Sequence, residues 1–415
     1  MGHKQLAPIN PTDSYPTFLK KRVTNNASGK LVGSPTIIKM GSKESAKKLE
    51  ELTKQHSITE VVDNYGEQYA ELLLSKNAHL YQANDSVQKA SVKDALKAHY
   101  SGKHHWQLGS WVYFPWDQKL VHILSQKDFE DLRTIRNRDL ITAAEQAQLF
   151  DFEVACFGMS VGSASALALA ITGISRRMKL IDEAVISGSN LNRIETGVKN
   201  VGLPKALAIG RQIYEMNPYS TISYFDKITA KNAASIFDKP WPIKLAIDEI
   251  DELEMKIKIR VEAKNRRIPV LMASELGDSV VLDIERYDLD PDYPLFHGLV
   301  PDAEGLLKRK IKNKREWMKY AVQILDPNNM PLKLQESLLK IGTTIVTHPQ
   351  LGSTVMMTGG VMAFAVKNIA LGSKLESGRH LISLENTFLA DHQTRVHKRK
   401  HKKHTRIINQ AMESM

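Results

Sequence analysis

The chain has 415 residues and a formal net charge of +11, from 57 Lys and Arg against 46 Asp and Glu. Its 42% hydrophobic content supports a packed core, and the length suits two to three domains or one large one with additions. No apolar run reaches the ~18 residues of a membrane span, the start MGHKQLAPINP lacks a signal-peptide stretch, and one cysteine excludes an internal disulfide, so a cytoplasmic protein is expected.

Residues 1 to about 35 read as irregular, from Asn-Pro-Thr, Tyr-Pro and Asn-Asn-Ala-Ser-Gly clusters. Pro35 to Met40 reads as a strand. Helices are predicted over Ser42–His56, Val61–Ser75 and Ser86–Tyr100. Residues 1–105 thus read as an α-rich N-terminal domain without a chemical motif. Adjacent His104 and His105 on one strand would point to opposite faces, which argues against a shared metal ion. Trp111–Leu124 reads as a β-hairpin around Pro115–Lys119. Asp128–Asn137 is a helix or turn carrying arginines, and Ala143–Phe150 is a short helix. Residues 106–150 are therefore a hairpin and an arginine-bearing lead-in.

The rest of the chain is organised around the stretch from Glu153 to Arg193. Glu153–Phe157 is a short apolar run that reads as a buried strand. Gly158-Met159-Ser160-Val161-Gly162-Ser163 is a turn, and Ala164–Ile171 is a helix ending at Gly173. Met178–Ile181 reads as a second strand closed by Asp182. A helix N-terminus after a glycine turn favours an anion, and Asp182 lies 20 residues after Gly162, a separation suited to a ribose-binding carboxylate. The glycine pattern is depleted, because Phe157 and Met159 stand where a G-x-G-x-x-G would have glycines. Asp182 also reads as an ordinary strand-end turn residue.

Helices are predicted over Pro204–Met216, Thr229–Phe237 and Leu253–Asn265, alternating with strands at Ile222–Phe225, Leu245–Asp248 and Pro269–Ala273. Alternation of this kind implies a parallel, doubly wound core. Leu245–Asp248 runs into Asp251 and Glu252, and a strand-end acid facing phosphates is placed to hold Mg²⁺. Val280–Tyr287 reads as an antiparallel continuation. From Ala303 the pattern turns helical, at Trp317–Leu325, Leu332–Leu339 and Thr354–Leu371. Gly359 and Gly360 in the last permit close packing, against a second subunit on this reading. Arg395 to Arg406 carries seven Lys and Arg and no acid, and reads as a solvated basic tail, with binding to nucleic acid, membrane or an acidic partner as the alternatives.

The series Gly158/Gly162, Asp182, Ser189-Asn190-Leu191-Asn192-Arg193, Pro204-Lys205 and Asp248-x-x-Asp251 resembles the ThiF/MoeB superfamily of ubiquitin-activating-enzyme-like adenylyltransferases. Arg133-Thr-Ile-Arg136-Asn137, with Gln146, matches its preceding segment loosely. Ser110–Trp116, Leu120–Leu124, Pro349-Gln350-Leu351-Gly352 and Ser377-Gly378-Arg379 are similar to a subgroup of ThiF-like bacterial proteins, some fused to a nitroreductase-like domain that this sequence does not show.

The resemblance implies an α/β, Rossmann-like doubly wound, mostly parallel sheet, with the α-rich N-terminal domain before it and a helical C-terminal region after it. The expected division is 1–105, 106–150, a nucleotide-binding domain over 151–300, helices over 301–394 and the basic tail 395–415. The implied activity is ATP-dependent adenylation of a carboxylate, on a peptide C-terminus or a small molecule, with pyrophosphate released. Gly158, Ser160, Gly162, Asp182, Asn190, Arg193 and Lys205 would bind ATP, with Arg193 and Lys205 on phosphates. Asp251 would bind Mg²⁺, and Arg136 would match an arginine supplied across a homodimer. No membrane and no nucleic-acid partner is expected.

The departures keep an alternative open, a degenerate Rossmann-like scaffold or an NAD-binding oxidoreductase. Ala184 replaces the family's second acid, Glu252 replaces an Asn, and no Cys-x-x-Cys zinc pair exists. Arg193 also reads as pairing with a surface acid, Lys205 as a helix-start lysine, Asp251 as a helix cap, and Arg136 as part of a solvated face. Cys156 reads as buried core rather than a thioester nucleophile.

Overall fold

A β-hairpin rich in aromatic and β-branched residues forms the centre of the sheet in the N-terminal part of the chain. The computed structural model describes residues 32–309 and 314–413; the irregular start expected before residue 32 lies outside them. The described chain divides into two compact units, 32–147 with 210–221, and 148–209 with 222–413.

In the first unit, strands β1 (Thr36–Lys39), β2 (Glu60–Asp63), β3 (Ser110–Phe114) and β4 (Lys119–Ile123) form one sheet in the order β1-β3-β4-β2. The predicted hairpin is β3 and β4, paired antiparallel with Tyr113 opposite Leu120. It supplies the two central strands rather than standing apart from the N-terminal residues. The helix predicted over Val61–Ser75 is corrected at its start. Glu60–Asp63 is extended and parallel to β4, with Val61 opposite Leu120, and the helix runs Tyr65–Lys76. The β-branched Val61-Val62 pair suits a pleated strand better than a first helical turn. The helix Lys43–Gln55 begins at Ser42, whose side chain accepts from Ser45 N–H. It packs its Leu52 with Ile38, Trp111 and Tyr113.

The second unit holds a seven-stranded sheet. Its strands are β5 (Val154–Phe157), β6 (Arg177–Ile181), β7 (Thr221–Phe225), β8 (Leu245–Asp248), β9 (Val270–Leu276), β10 (Ser279–Glu285) and β11 (Gly378–Ser383), in the order β11-β10-β9-β8-β5-β6-β7. β5 is parallel to β6 and β8, and β8 is parallel to β9. Every residue of β5 is buried, as a central parallel strand covered on both faces requires. The fold is therefore the doubly wound α/β arrangement expected. β10 runs antiparallel to β9, also as read.

Two C-terminal expectations are corrected, and the close packing at Gly359 is located. β11 is a strand inside the stretch read as helical, antiparallel to β10. Within the helix Gly352–Ala370, a Cβ at Gly359 would lie 2.6 Å from the Ala164 carbonyl oxygen. Gly359 thus serves close packing on the helix Gly162–Thr172 of the same chain, while Gly360 faces open space. The basic run is not a free tail. Arg395–Glu413 is a helix, docked through buried Thr405 and Ile408. Its alternation of histidine and Ile/Thr with cations gives one face to bury, a feature the dense charge concealed.

Candidate nucleotide site

The candidate site lies within the second unit. β5 ends at Gly158, whose φ of +85° is the left-handed region that glycine tolerates. A Cβ there would sit 2.4 Å from the Glu249 carbonyl oxygen, and one at Gly162 would sit 3.3 Å from the Glu249 side chain. The two glycines of the turn therefore make room for the Asp248–Asp251 loop at the end of β8. Phe157 and Met159, the residues in place of glycines, are fully buried.

Asp182 follows β6 and accepts two short backbone hydrogen bonds. Met159 N–H donates to Oδ2 and Ala184 N–H donates to Oδ1, each at 2.7 Å. Asp182 thereby staples the turn to the end of β6, so the strand-end reading is part of its role; each carboxylate oxygen keeps further acceptor capacity. Ile186 N–H donates to the Leu203 carbonyl at 2.8 Å, and Lys205 N–H donates to the Ala184 carbonyl at 2.9 Å. These bonds bring the start of the helix Lys205–Met216 beside Asp182. Among the described residues the Lys205 ammonium has no hydrogen bond or ion pair.

Arg193 reaches the glycine turn directly. Its Nε donates to Ser160 Oγ at 3.1 Å, and its Nη1 donates to Ser189 O at 3.1 Å and Asn192 Oδ1 at 2.9 Å. Among the described residues no acid ion-pairs with it, so the surface-pair reading of Arg193 is not what the structure has. Asn190 is buried, and its Oδ1 accepts Ser187 N–H at 3.0 Å. It shapes the Gly188–Asn192 turn from which Arg193 extends.

The acids at the end of β8 separate cleanly. Asp248 is fully buried between Arg260, at 2.5 Å, and Lys256, at 3.3 Å. Burial alone would push its carboxyl up, but Lys256 and Arg260 hold it below the ordinary value. Asp251 is exposed and has no ion pair among the described residues. It does not cap the helix Leu253–Asn265, whose N-cap position is Glu252.

Sequence reasoning missed the far wall. Glu275, at the end of β9, lies within electrostatic reach of Asp251 and Arg193, and its carboxyl is pushed up to about 7, mostly by burial. Gln350 Nε2 donates to Glu275 Oε1, and the Gln350 carbonyl accepts from Asn192 Nδ2 at 3.0 Å. His348 also faces Asp251 and Arg193, with burial lowering its ionisation. Glu249 is raised well above the usual carboxylate range, by burial and then by the Glu275 charge. Two signals could have found this wall, the strand-end position of Glu275 and the Pro349-Gln350-Leu351-Gly352 motif.

The structure thus gathers Gly158, Ser160, Gly162, Asp182, Asn190, Arg193, Lys205 and Asp251 at the C-terminal ends of β5, β6 and β8, the edge where doubly wound sheets bind ligands. Arg136 belongs to the first unit, exposed on the turn Ile135–Asn137. In that unit Asn137 Nδ2 donates to Gln146 Oε1 at 3.0 Å, tying the lead-in segment together. Cys156 is fully buried, and burial pushes its thiol up to about 12, which leaves no thiolate at neutral pH. No group of three metal-binding side chains exists among the described residues, His104 and His105 included. No described helix is long and apolar enough to cross a membrane.

The chain is 36% identical over 272 residues to an uncharacterized protein of Mycobacterium tuberculosis (strain CDC 1551 / Oshkosh), covering 65% of this chain and 37% of that protein. It is 30% identical over 154 residues to the tRNA threonylcarbamoyladenosine dehydratase of Escherichia coli K12, covering 35% and 56%. It is 26% identical over 147 residues to the adenylyltransferase and sulfurtransferase UBA4 of Yarrowia lipolytica, covering 35% and 36%. The matches span between about a third and just over half of these relatives' own lengths. The ThiF family model matches residues 133–406, from the arginine-bearing lead-in to the basic helix and across the whole nucleotide site; the chain belongs to the ThiF family.

Proposed function

We propose that the protein is an ATP-dependent adenylyltransferase acting on a carboxylate carried by a peptide or a small molecule. The observation that carries this reading is Arg193, which forms no ion pair among the described residues and is held at the glycine turn by Ser160. A guanidinium kept unpaired beside a helix N-terminus suits phosphate oxygens. A dehydrogenase needs no such cation there. The name of the Yarrowia relative agrees with this chemistry.

In the proposed reaction a substrate carboxylate oxygen attacks the α-phosphorus of ATP. An O–P bond forms, the bond to the β-phosphate bridging oxygen breaks, and pyrophosphate leaves with that electron pair. Arg193 and Lys205 hold phosphate oxygens and offset their charge, which is the main work of such a site. Asp182 accepts from ribose hydroxyls on its remaining lone pairs. Asn190 acts by holding the turn that presents Arg193. Asp251 fits Mg²⁺, because a single exposed, unpaired carboxylate suits a cation that keeps waters and takes phosphate oxygens. When bound there, the ion would supply further neutralisation of the triphosphate.

The working form in this reading is a homodimer, with Arg136 reaching the partner's site. Met356, Gly360 and Phe364 support it: spaced four apart, they form an exposed stripe on the helix Gly352–Ala370.

Calorimetric titration with Mg-ATP and with NAD, on the native protein and Arg193→Ala, tests the reading. Mg-ATP binding weakened about 10- to 100-fold in the variant is expected, from loss of charge-assisted hydrogen bonds. Preference for NAD, or binding to neither, overturns it. The first points to redox chemistry and the second to a scaffold.

A further inference from the structure

The helix Arg395–Glu413 carries seven of the chain's cations between Arg395 and Arg406, with no acid until Glu413. All seven are exposed, and none forms an ion pair among the described residues. The opposite side of the helix is anchored. His401 Nε2 lies 2.8 Å from the Met330 carbonyl, and Gln335 Nε2 donates to Thr405 Oγ1 at 2.9 Å. Thr405 and Ile408 are buried against the helix Leu332–Leu338. At about 100° per residue, Arg395, Lys398, Arg399, Lys402, Lys403 and Arg406 fall within roughly 140° of arc, away from the docked side. They run about 16 Å along the axis.

A rigidly mounted row of unpaired cations differs from a solvated tail. Its charges cannot disperse, so a linear polyanion can engage several at once without first ordering the chain. The pattern also discriminates among anionic partners. A membrane-surface helix needs a continuous apolar face turned outward; here Ile408 is buried by docking, and the exposed Val396 and Ile407 stand about three turns apart, too far to make such a face. An acidic protein interface centres on desolvated anchors in which aromatic side chains accompany Arg, and the cationic arc holds no aromatic residue. We propose that this helix is a docking surface for the phosphodiester backbone of a nucleic acid, engaged through charge and without base reading. The inference is independent of the nucleotide site and stands whether or not that site adenylates.

The test is fluorescence anisotropy of a labelled 26-base-pair duplex, as RNA and as DNA, titrated with the full chain from 50 to 200 mM KCl. With about four phosphates neutralised, affinity should fall about 10²-fold across that range. The combined variant Arg399→Gln, Lys402→Gln, Lys403→Gln, Arg406→Gln should bind at least tenfold more weakly at 50 mM and lower the log–log salt slope by about 3. Lys402→Arg with Lys403→Arg should bind as the native chain does, and unchanged circular dichroism and melting show that the helix stays docked. Should the quadruple variant not fold, Lys402→Glu alone should lower the slope by about 1. No binding, or a salt slope unchanged by these variants, overturns the proposal. So does displacement by polyglutamate at equal charge, which assigns the surface to acidic proteins, or capture by phosphatidylserine vesicles with no duplex binding.

Discussion

Arg260→Met tests the ionic foundation beneath the site. Arg260 is fully buried, its Nη1 2.5 Å from Asp248 and its Nε 2.7 Å from Glu285, and its guanidinium lies 4.0 Å from the Phe296 ring centroid. Both carboxylates are themselves fully buried. Methionine fills most of the volume but leaves two acids short of their cation, a loss of about 3–5 kcal/mol for a buried pair. The lower end, about 3 kcal/mol, applies here. Asp248 keeps Lys256 at 3.3 Å, and Glu285 Oε1 keeps the Tyr287 hydroxyl and Phe296 N–H at 2.7 Å each. The sign of the pH dependence comes from the direction of each shift. In the native protein Asp248 is depressed, so its contribution is present above the ordinary carboxylate pKa and is lost only in acid. In the variant Asp248 loses one of the two cations that offset its burial, so its carboxyl rises from the depressed native position and the variant's deficit grows as pH rises. The stability gap should therefore be widest near pH 8 and narrow by at least about 1 kcal/mol at pH 5. Urea unfolding of both proteins at pH 5, 6, 7 and 8, followed by circular dichroism, measures it. A loss below about 1 kcal/mol, or a gap indifferent to pH, would refute the account.

Glu275→Gln keeps the volume and an acceptor for Gln350. Because the native carboxyl is raised to about 7, its contribution is complete below pH 4.5 and is lost as pH climbs through 7. The variant should therefore gain on the native protein between pH 5 and 8, by up to about 3 kcal/mol; a constant difference in denaturation midpoints would contradict this. Gly158→Ala should cost at least about 2 kcal/mol and abolish Mg-ATP binding, since its φ is positive and the Glu249 carbonyl occupies the space. Gly197→Ala, which meets nothing within 4 Å, should change stability by no more than about 0.5 kcal/mol in the same scanning calorimetry. Cys156 should resist iodoacetamide in the native state and label fully in urea, as read by mass spectrometry; rapid native labelling would contradict its burial.

The core of the fold was legible because its signals are local. Val154–Phe157 and Leu245–Asp248 are short apolar runs closed by glycine or acid, and alternating helices imply a parallel sheet. The candidate site's spine was legible where Asp182 and Asp251 follow strands and Lys205 opens a helix, and at Arg193 through the resemblance of Ser189–Arg193 to the family pattern. Four features escaped for physical reasons. Val61-Val62 took extended geometry from its partner β4, which lies some 60 residues on. β11 exists because β10 presents an edge, a nonlocal fact. Glu275, His348 and Gln350 join the site from positions far apart in the chain, tied by the bonds from Gln350 to Glu275 and Asn192. Dense charge also hid the helix after Arg395, whose buried face is carried by a few His, Thr and Ile residues.

The glycines of the β5 turn have a consequence for comparing and redesigning such proteins. Gly158 is required where the crossing loop at Glu249 comes closest, Gly162 is only tight against the Glu249 side chain, and Met159 is buried in the interior. The number of glycines in a turn of this kind thus records the clearance to the neighbouring loop. A search that ranks members by glycine count will discard chains whose loop sits farther away. A designer seeking a stiffer turn has freedom at the positions where that loop recedes, and none at Gly158.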